Sequence, residues 1–186
     1  MRFKPVPEPP ADLAAVETVR RALPAAAGDA DDCCRLLVDE TPLETRDEAA
    51  TWLTFLRALE LATEEPAGFR RRDPGSSGEP DSDIPSALER DRLRRAFRER
   101  VDGADAVLSA LERADGSLTA AEGVAALREA RRQSGERGRR SNPTEGTQLE
   151  RVERLLEWAV LFGLAEKTEG SAEKAEGGYR SAPTRG

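Results

Sequence analysis

The chain carries one helix-and-hairpin pattern twice, and this limits its possible folds more than any other feature. From Gln148 to Phe162, Leu149, Val152, Leu155, Leu156, Ala159 and Phe162 recur on one face of a helix. Gly163 follows, the residue type that best ends a helix in the left-handed region. Leu164-Ala165-Glu166-Lys167-Thr168 is strand-like, a Glu/Gly/Ser-rich loop follows, and Tyr179-Arg180 is placed to return as the partner strand. Glu44 to Arg71 repeats the pattern. Aligning Leu61 with Leu164 puts Trp52 on Leu155, Phe55 on Trp158, Leu59 on Phe162, and Gly68-Phe69-Arg70 on Gly178-Tyr179-Arg180, with the longer loop in the second copy. A supersecondary unit used twice in 186 residues argues for two small domains.

The flanking sequence supplies further helices ahead of each copy. Asp12 to Leu23 carries Leu13, Val16 and Val19 at helical spacing and is stopped by Pro24. Asp29 to Asp32 opens a second helix bearing Cys33, Cys34, Leu36, Leu37 and Val38, and Thr45-Arg46-Asp47-Glu48 has the capping-box form that opens a third. Ser86 to Val101 is a helix with Leu93, Phe97 and Val101 on one stripe and Arg90, Arg94 and Arg98 on another. Ala104 to Ala114 is the next helix. Ser117-Leu118 is a candidate short strand, Thr119-Ala120-Ala121-Glu122 a second capping box, and Thr147-Gln148-Leu149-Glu150 a third.

Three helices followed by a hairpin resemble the winged helix-turn-helix plan. The fold class expected is therefore mostly α with small β-hairpin wings, as two winged-helix-like domains in tandem. The expected layout is an extended arm at 1–10, domain 1 at 11–72, a flexible linker at 73–85, domain 2 at 86–181 led by a bridging helix, and a loose tail at 182–186. Gly, Ser, Pro and acid without apolar residues in Asp73 to Asp83 mark the linker.

Several function classes are excluded by composition. Histidine is absent, which removes Ser-His-Asp and Cys-His pairs, histidine bases and the usual zinc sets. Adjacent Cys33 and Cys34 fit neither an ordinary disulfide nor a CxxC metal knuckle, and read as small buried helix residues. No phosphate-loop, nucleophile-elbow or metalloprotease motif is present. The expectation is a non-enzyme with no cofactor, no metal and no evident small-molecule substrate. With no apolar run near the roughly 18 residues of a membrane span and no signal-like start, a cytoplasmic protein off the membrane is expected.

The formal charge is −7, and basic residues are nearly all Arg, with Lys only at positions 4, 167 and 174. Such Ala-, Arg- and acid-rich, Lys-poor usage resembles proteins of salt-loving archaea, though a GC-rich genome alone also produces the Ala and Arg. In a high-salt cytoplasm an acidic surface serves solvation and says less about ligands.

Charge is unevenly spread: −8 over residues 1–83, +3 over 84–140 and −2 over 141–186. The basic part culminates in Arg128 to Arg140, with six Arg against two Glu, just before the second copy's helix. In DNA-binding winged helices the third helix enters the major groove while the wing or nearby loops contact phosphates. The resemblance thus implies a transcription-associated protein binding double-stranded DNA; the basic run then offers Arg131, Arg132, Arg137, Arg139 and Arg140 to phosphates or to an acidic partner, with Gln148, Arg151 and Arg154 toward bases. Against this, both candidate helices are net acidic. The alternative is a protein-interaction module whose acidic helices meet a basic protein partner. Trp52 and Trp158 are expected in the core. The Arg90-Arg94-Arg98 stripe is expected to pair with the acidic N-terminal half.

Overall fold

The computed structural model describes residues 3–27, 30–72, 87–133, 144–168 and 177–183. They divide into two compact units, Met1–Asp102 and Gly103–Gly186. The expected linker at 73–85 lies outside the described residues.

In the first unit, α1 (Leu13–Ala22), α2 (Ala30–Glu40) and α3 (Arg46–Ala58) precede a hairpin of β1 (Ala62–Glu65) and β2 (Gly68–Arg71), and α4 (Ala87–Arg100) follows. Asp12 caps α1 by accepting the Ala15 N–H at 2.9 Å. Thr45 caps α3 by accepting the Glu48 N–H at 3.2 Å, while the Glu48 carboxylate reaches back to the Glu44 N–H rather than to Thr45. Val16, Val19, Leu23, Cys33, Leu37, Trp52, Phe55, Leu56 and Leu59 form the core. Neither Cys33 nor Cys34 is bonded to another cysteine, and both are buried as expected.

Two features of this unit depart from the layout read in the sequence. The segment expected as an extended arm has no helix of its own from Phe3 to Pro10, but it packs onto the unit, with Phe3 and Val6 buried. Phe3 pairs in parallel with Val101, its N–H donating to Arg100 O at 2.7 Å and its O accepting from the Asp102 N–H at 2.8 Å. Its ring lies 5.1 Å from the Arg57 guanidinium and 5.4 Å from that of Arg100. Accordingly α4, expected to lead the second domain, belongs to the first unit, with Leu93, Ala96 and Phe97 buried.

In the second unit, α5 (Ala104–Arg113), α6 (Ala120–Gln133) and α7 (Glu145–Leu161) precede β3 (Ala165–Thr168) and β4 (Gly178–Ser181). Thr119 and Glu122 complete a reciprocal capping box for α6. The box expected at Thr147 is not used: α7 begins one turn earlier, with Thr144 accepting the Thr147 N–H at 3.4 Å. Val107, Leu108, Leu111, Val124, Leu127, Val152, Leu155, Leu156, Trp158 and Phe162 form this core. Leu118 pairs antiparallel with Tyr179, the short strand expected between the first two helices.

The duplication extends to individual hydrogen bonds. At the end of α3 the Leu61 N–H donates to Leu56 O at 2.8 Å, and at the end of α7 the Leu164 N–H donates to Ala159 O at the same distance. This six-to-one bond requires a left-handed residue before the leucine. Gly163 takes φ 68 and Glu60, its counterpart, φ 62. The hairpins share register: Glu64 faces Phe69 and Lys167 faces Tyr179. Each return strand closes alike, Arg72 N–H on Leu61 O at 2.8 Å and Ala182 N–H on Leu164 O at 3.1 Å.

Candidate functional site

The third helix of each unit buries its apolar stripe and leaves an opposite face open, so the side chains on that face decide what the unit can meet. On α3 these are Arg46, Asp47 and Ala50, exposed, with Thr51 and Thr54 half-buried. Both threonine hydroxyls donate within the helix, Thr51 to Asp47 O at 2.9 Å and Thr54 to Ala50 O at 3.0 Å. The neighbouring α2 exposes Asp31, Asp32, Asp39 and Glu40 around a single Arg35. Unit 1 carries 16 bases against 22 acids, and the surface formed by α2 and α3 repels a polyanion.

On α7 the exposed residues include Glu150, Glu153 and Arg154, with Arg151 and Glu157 half-buried. Gln148, expected to face bases, is only 5% exposed, and its Oε1 accepts from Arg128 Nε at 2.9 Å. A buried amide held this way cannot reach a base edge without leaving its partner, so its role is to tie α6 to α7. Arg128 also approaches Glu145 at 3.7 Å, which places the last turns of α6 beside the first turn of α7. Arg131 is half-buried, and Arg132 is exposed and 3.5 Å from Glu129. Arg137, Arg139 and Arg140 lie outside the described residues.

The hairpins are rich in charge but largely self-neutralised. Arg57 pairs with Glu64 and Arg70 with Glu65 in the first unit. In the second, Lys167 Nζ sits 3.1 Å from Glu157 and Arg180 is 2.7 Å from Glu166. The Glu157 contact holds the Lys167 ammonium above its ordinary range. Burial pushes the Tyr179 phenol up; Lys167 opposes this, and Glu157 and Glu153 add to it. The second unit totals 13 bases against 14 acids, and is much nearer neutrality than the first.

One cluster was not anticipated from the sequence. Glu60, in its left-handed conformation, accepts from Arg100 at 2.7 Å and Arg92 at 3.4 Å, with Arg72 at 3.8 Å. Arg92 and Arg100 of α4 thus pair with acid in the first unit, and Arg94 of the expected stripe has Asp91 at 3.1 Å. The available signal was the non-glycine at the position matching Gly163.

Three helices, a closing hairpin and an open third-helix face define each unit as a winged-helix domain, mostly helical with a small antiparallel wing. Domains of this kind are commonly binding modules and typically non-catalytic. The chain belongs to the halobacterial double winged helix domain family, whose model matches residues 1–178. This agrees with both the tandem plan and the salt-adapted composition read from the sequence. No curated protein and no solved structure matches the chain. Among the described residues no helix is long and apolar enough to cross a membrane, and no group of three or more His, Cys, Asp or Glu could hold a metal ion.

Proposed function

We propose that this is a non-enzymatic, cytoplasmic, transcription-associated protein that binds double-stranded DNA through its second unit, chiefly by phosphate contacts. The supporting observation is the α6–α7 junction. Arg128 bonded to Gln148 fixes the two helices together, and Arg131 and Arg132 follow on the last turn of α6. Arg151 and Arg154 lie one and two turns into α7 from Gln148. Arg137, Arg139 and Arg140 lie in the sequence joining the helices and extend the basic run. With Gln148 committed to the interior and glutamates on the α7 face, base reading is reduced to Arg151 and Arg154. Such an interface positions the protein on a duplex more than it specifies sequence.

The acidic face of α7, Glu150 with Glu153, favours a second reading, a scaffold for a basic protein partner. Titration of a labelled random duplex across a salt series separates the two. A phosphate binder loses affinity with a log–log slope of about 0.9 per neutralised phosphate, and Arg139→Ala/Arg140→Ala flattens that slope by up to about 1.8. No binding at any salt, with a basic protein recovered in pull-downs that Glu150→Gln/Glu153→Gln abolishes, overturns the DNA reading in favour of the scaffold.

A further inference from the structure

α4 stands outside the three-helix-and-hairpin plan, and its six arginines divide into two sets. Leu93, Ala96 and Phe97 face the core. Arg92 and Arg100 turn to Glu60 and satisfy the carboxylate that the left-handed turn presents. The outward set is Arg90 and Arg95, exposed, with Arg94 and Arg98 half-buried. Neither Arg90 nor Arg95 has an ion-pair partner among the described residues. The acids on this helix are Glu89, Asp91 and Glu99, so α4 nets +3 within a unit that totals −6. Balancing Glu60 requires only the first set. Two long, fully charged side chains held in solvent contribute little to folding.

We infer that the outer face of α4 is a second contact surface for the phosphate backbone of duplex DNA. Arg90 and Arg95, five residues apart, are separated by about 7.5 Å along the helix axis, with Arg94 and Arg98 lying between them around it. One DNA strand advances about 3.4 Å per phosphate along the duplex axis, so the two guanidiniums span about two phosphate steps. Guanidinium forks suit phosphate oxygens. The acidic remainder of the unit restricts a polyanion to this face. The inference rests on DNA being the partner proposed above, and extends the contact to a unit whose third helix is unsuited to it.

The test is fluorescence anisotropy of a labelled random 20-base-pair duplex against the full chain across a salt series. The variants are Arg90→Ala/Arg95→Ala, Arg90→Lys/Arg95→Lys and Arg139→Ala/Arg140→Ala, each checked for native helix content by circular dichroism. The α4 alanine pair is expected to flatten the log–log slope by about 1.8, so that wild type loses about 12-fold more affinity than the variant between 50 and 200 mM salt. The lysine pair, which keeps both charges, is expected to retain the wild-type slope. An unchanged slope in the folded alanine pair overturns the inference, as does a lysine pair that falls as far as the alanine pair. If only Arg139→Ala/Arg140→Ala flattens the slope, α4 is not a contact and the second-unit reading stands. If only the α4 pair does, the second-unit reading falls and this surface stands. A wild type that binds at no salt overturns both.

Discussion

Gly123 lies on the buried side of α6, and a Cβ built there would sit 2.6 Å from Val152 Cγ1 on α7. Carbon atoms pack at about 3.5–4.0 Å, so Gly123→Ala brings two groups roughly 1 Å too close. Val152 is fully buried and β-branched, which leaves it one favoured rotamer in a helix, so the helix–helix spacing must give instead. Overpacking of this kind costs about 1–3 kcal/mol, against about 0.8–1.0 kcal/mol gained by placing Ala rather than Gly inside a helix. The expected net loss is about 1 kcal/mol. Val152→Ala alone loses about 2 kcal/mol in transfer and cavity terms. The double variant has no clash and keeps the propensity gain, so its loss is smaller than the sum of the two by about 1–3 kcal/mol. Urea titrations of the four proteins by far-UV circular dichroism measure this coupling. Additivity within about 0.5 kcal/mol would refute the close approach of α6 to α7.

Three further outcomes follow from the geometry. Glu60→Ala keeps the left-handed backbone while losing the arginine contacts, whereas Glu60→Gly loses the contacts but also the strain, so the alanine variant should be less stable than the glycine one by about 1 kcal/mol in chemical denaturation. Tyr179 is the one tyrosine in the chain, so its ultraviolet titration should show a midpoint above the ordinary 10.0 in the native protein and an ordinary one in denaturant. A raised phenol means stability that is complete below the unfolded value and lost as pH rises through the folded one; identical native and denatured midpoints would contradict the packed wing. Burial pushes the Cys34 thiol up, with Asp31 adding to the effect and Arg46 opposing it, so Ellman's reagent should label Cys33 and Cys34 slowly in native protein and rapidly in denaturant.

Much of the fold was legible because periodicity and end signals agreed. Trp52 and Trp158 lie in the core, Gly163 ends α7, and Gly68-Phe69 and Gly178-Tyr179 take the same places in the two hairpins. What escaped the sequence depended on tertiary partners. Proline-rich composition masked the fact that Phe3 and Val6 are apolar side chains with a place to go, and Phe3 finds it against Val101, Arg57 and Arg100. The capping motif at Thr147 competed with an equivalent threonine three residues earlier, and Thr144 prevailed. Of the expected site, Gln148 was misplaced because a polar residue on a helix reads as solvent-facing until a partner such as Arg128 is seen to bury it. Glu60 was invisible as a hub because its arginines come from β2's end and from α4, far along the chain.

The central claim is that one helix end and one hairpin closure recur in both halves of the chain. Residue-resolved amide hydrogen exchange by NMR tests it directly. Leu61 and Arg72 in the first unit, and Leu164 and Ala182 in the second, should all be protected well above neighbouring exposed loop amides. Fast exchange at either leucine, or at either return-strand amide, would mean that its unit does not close in this way.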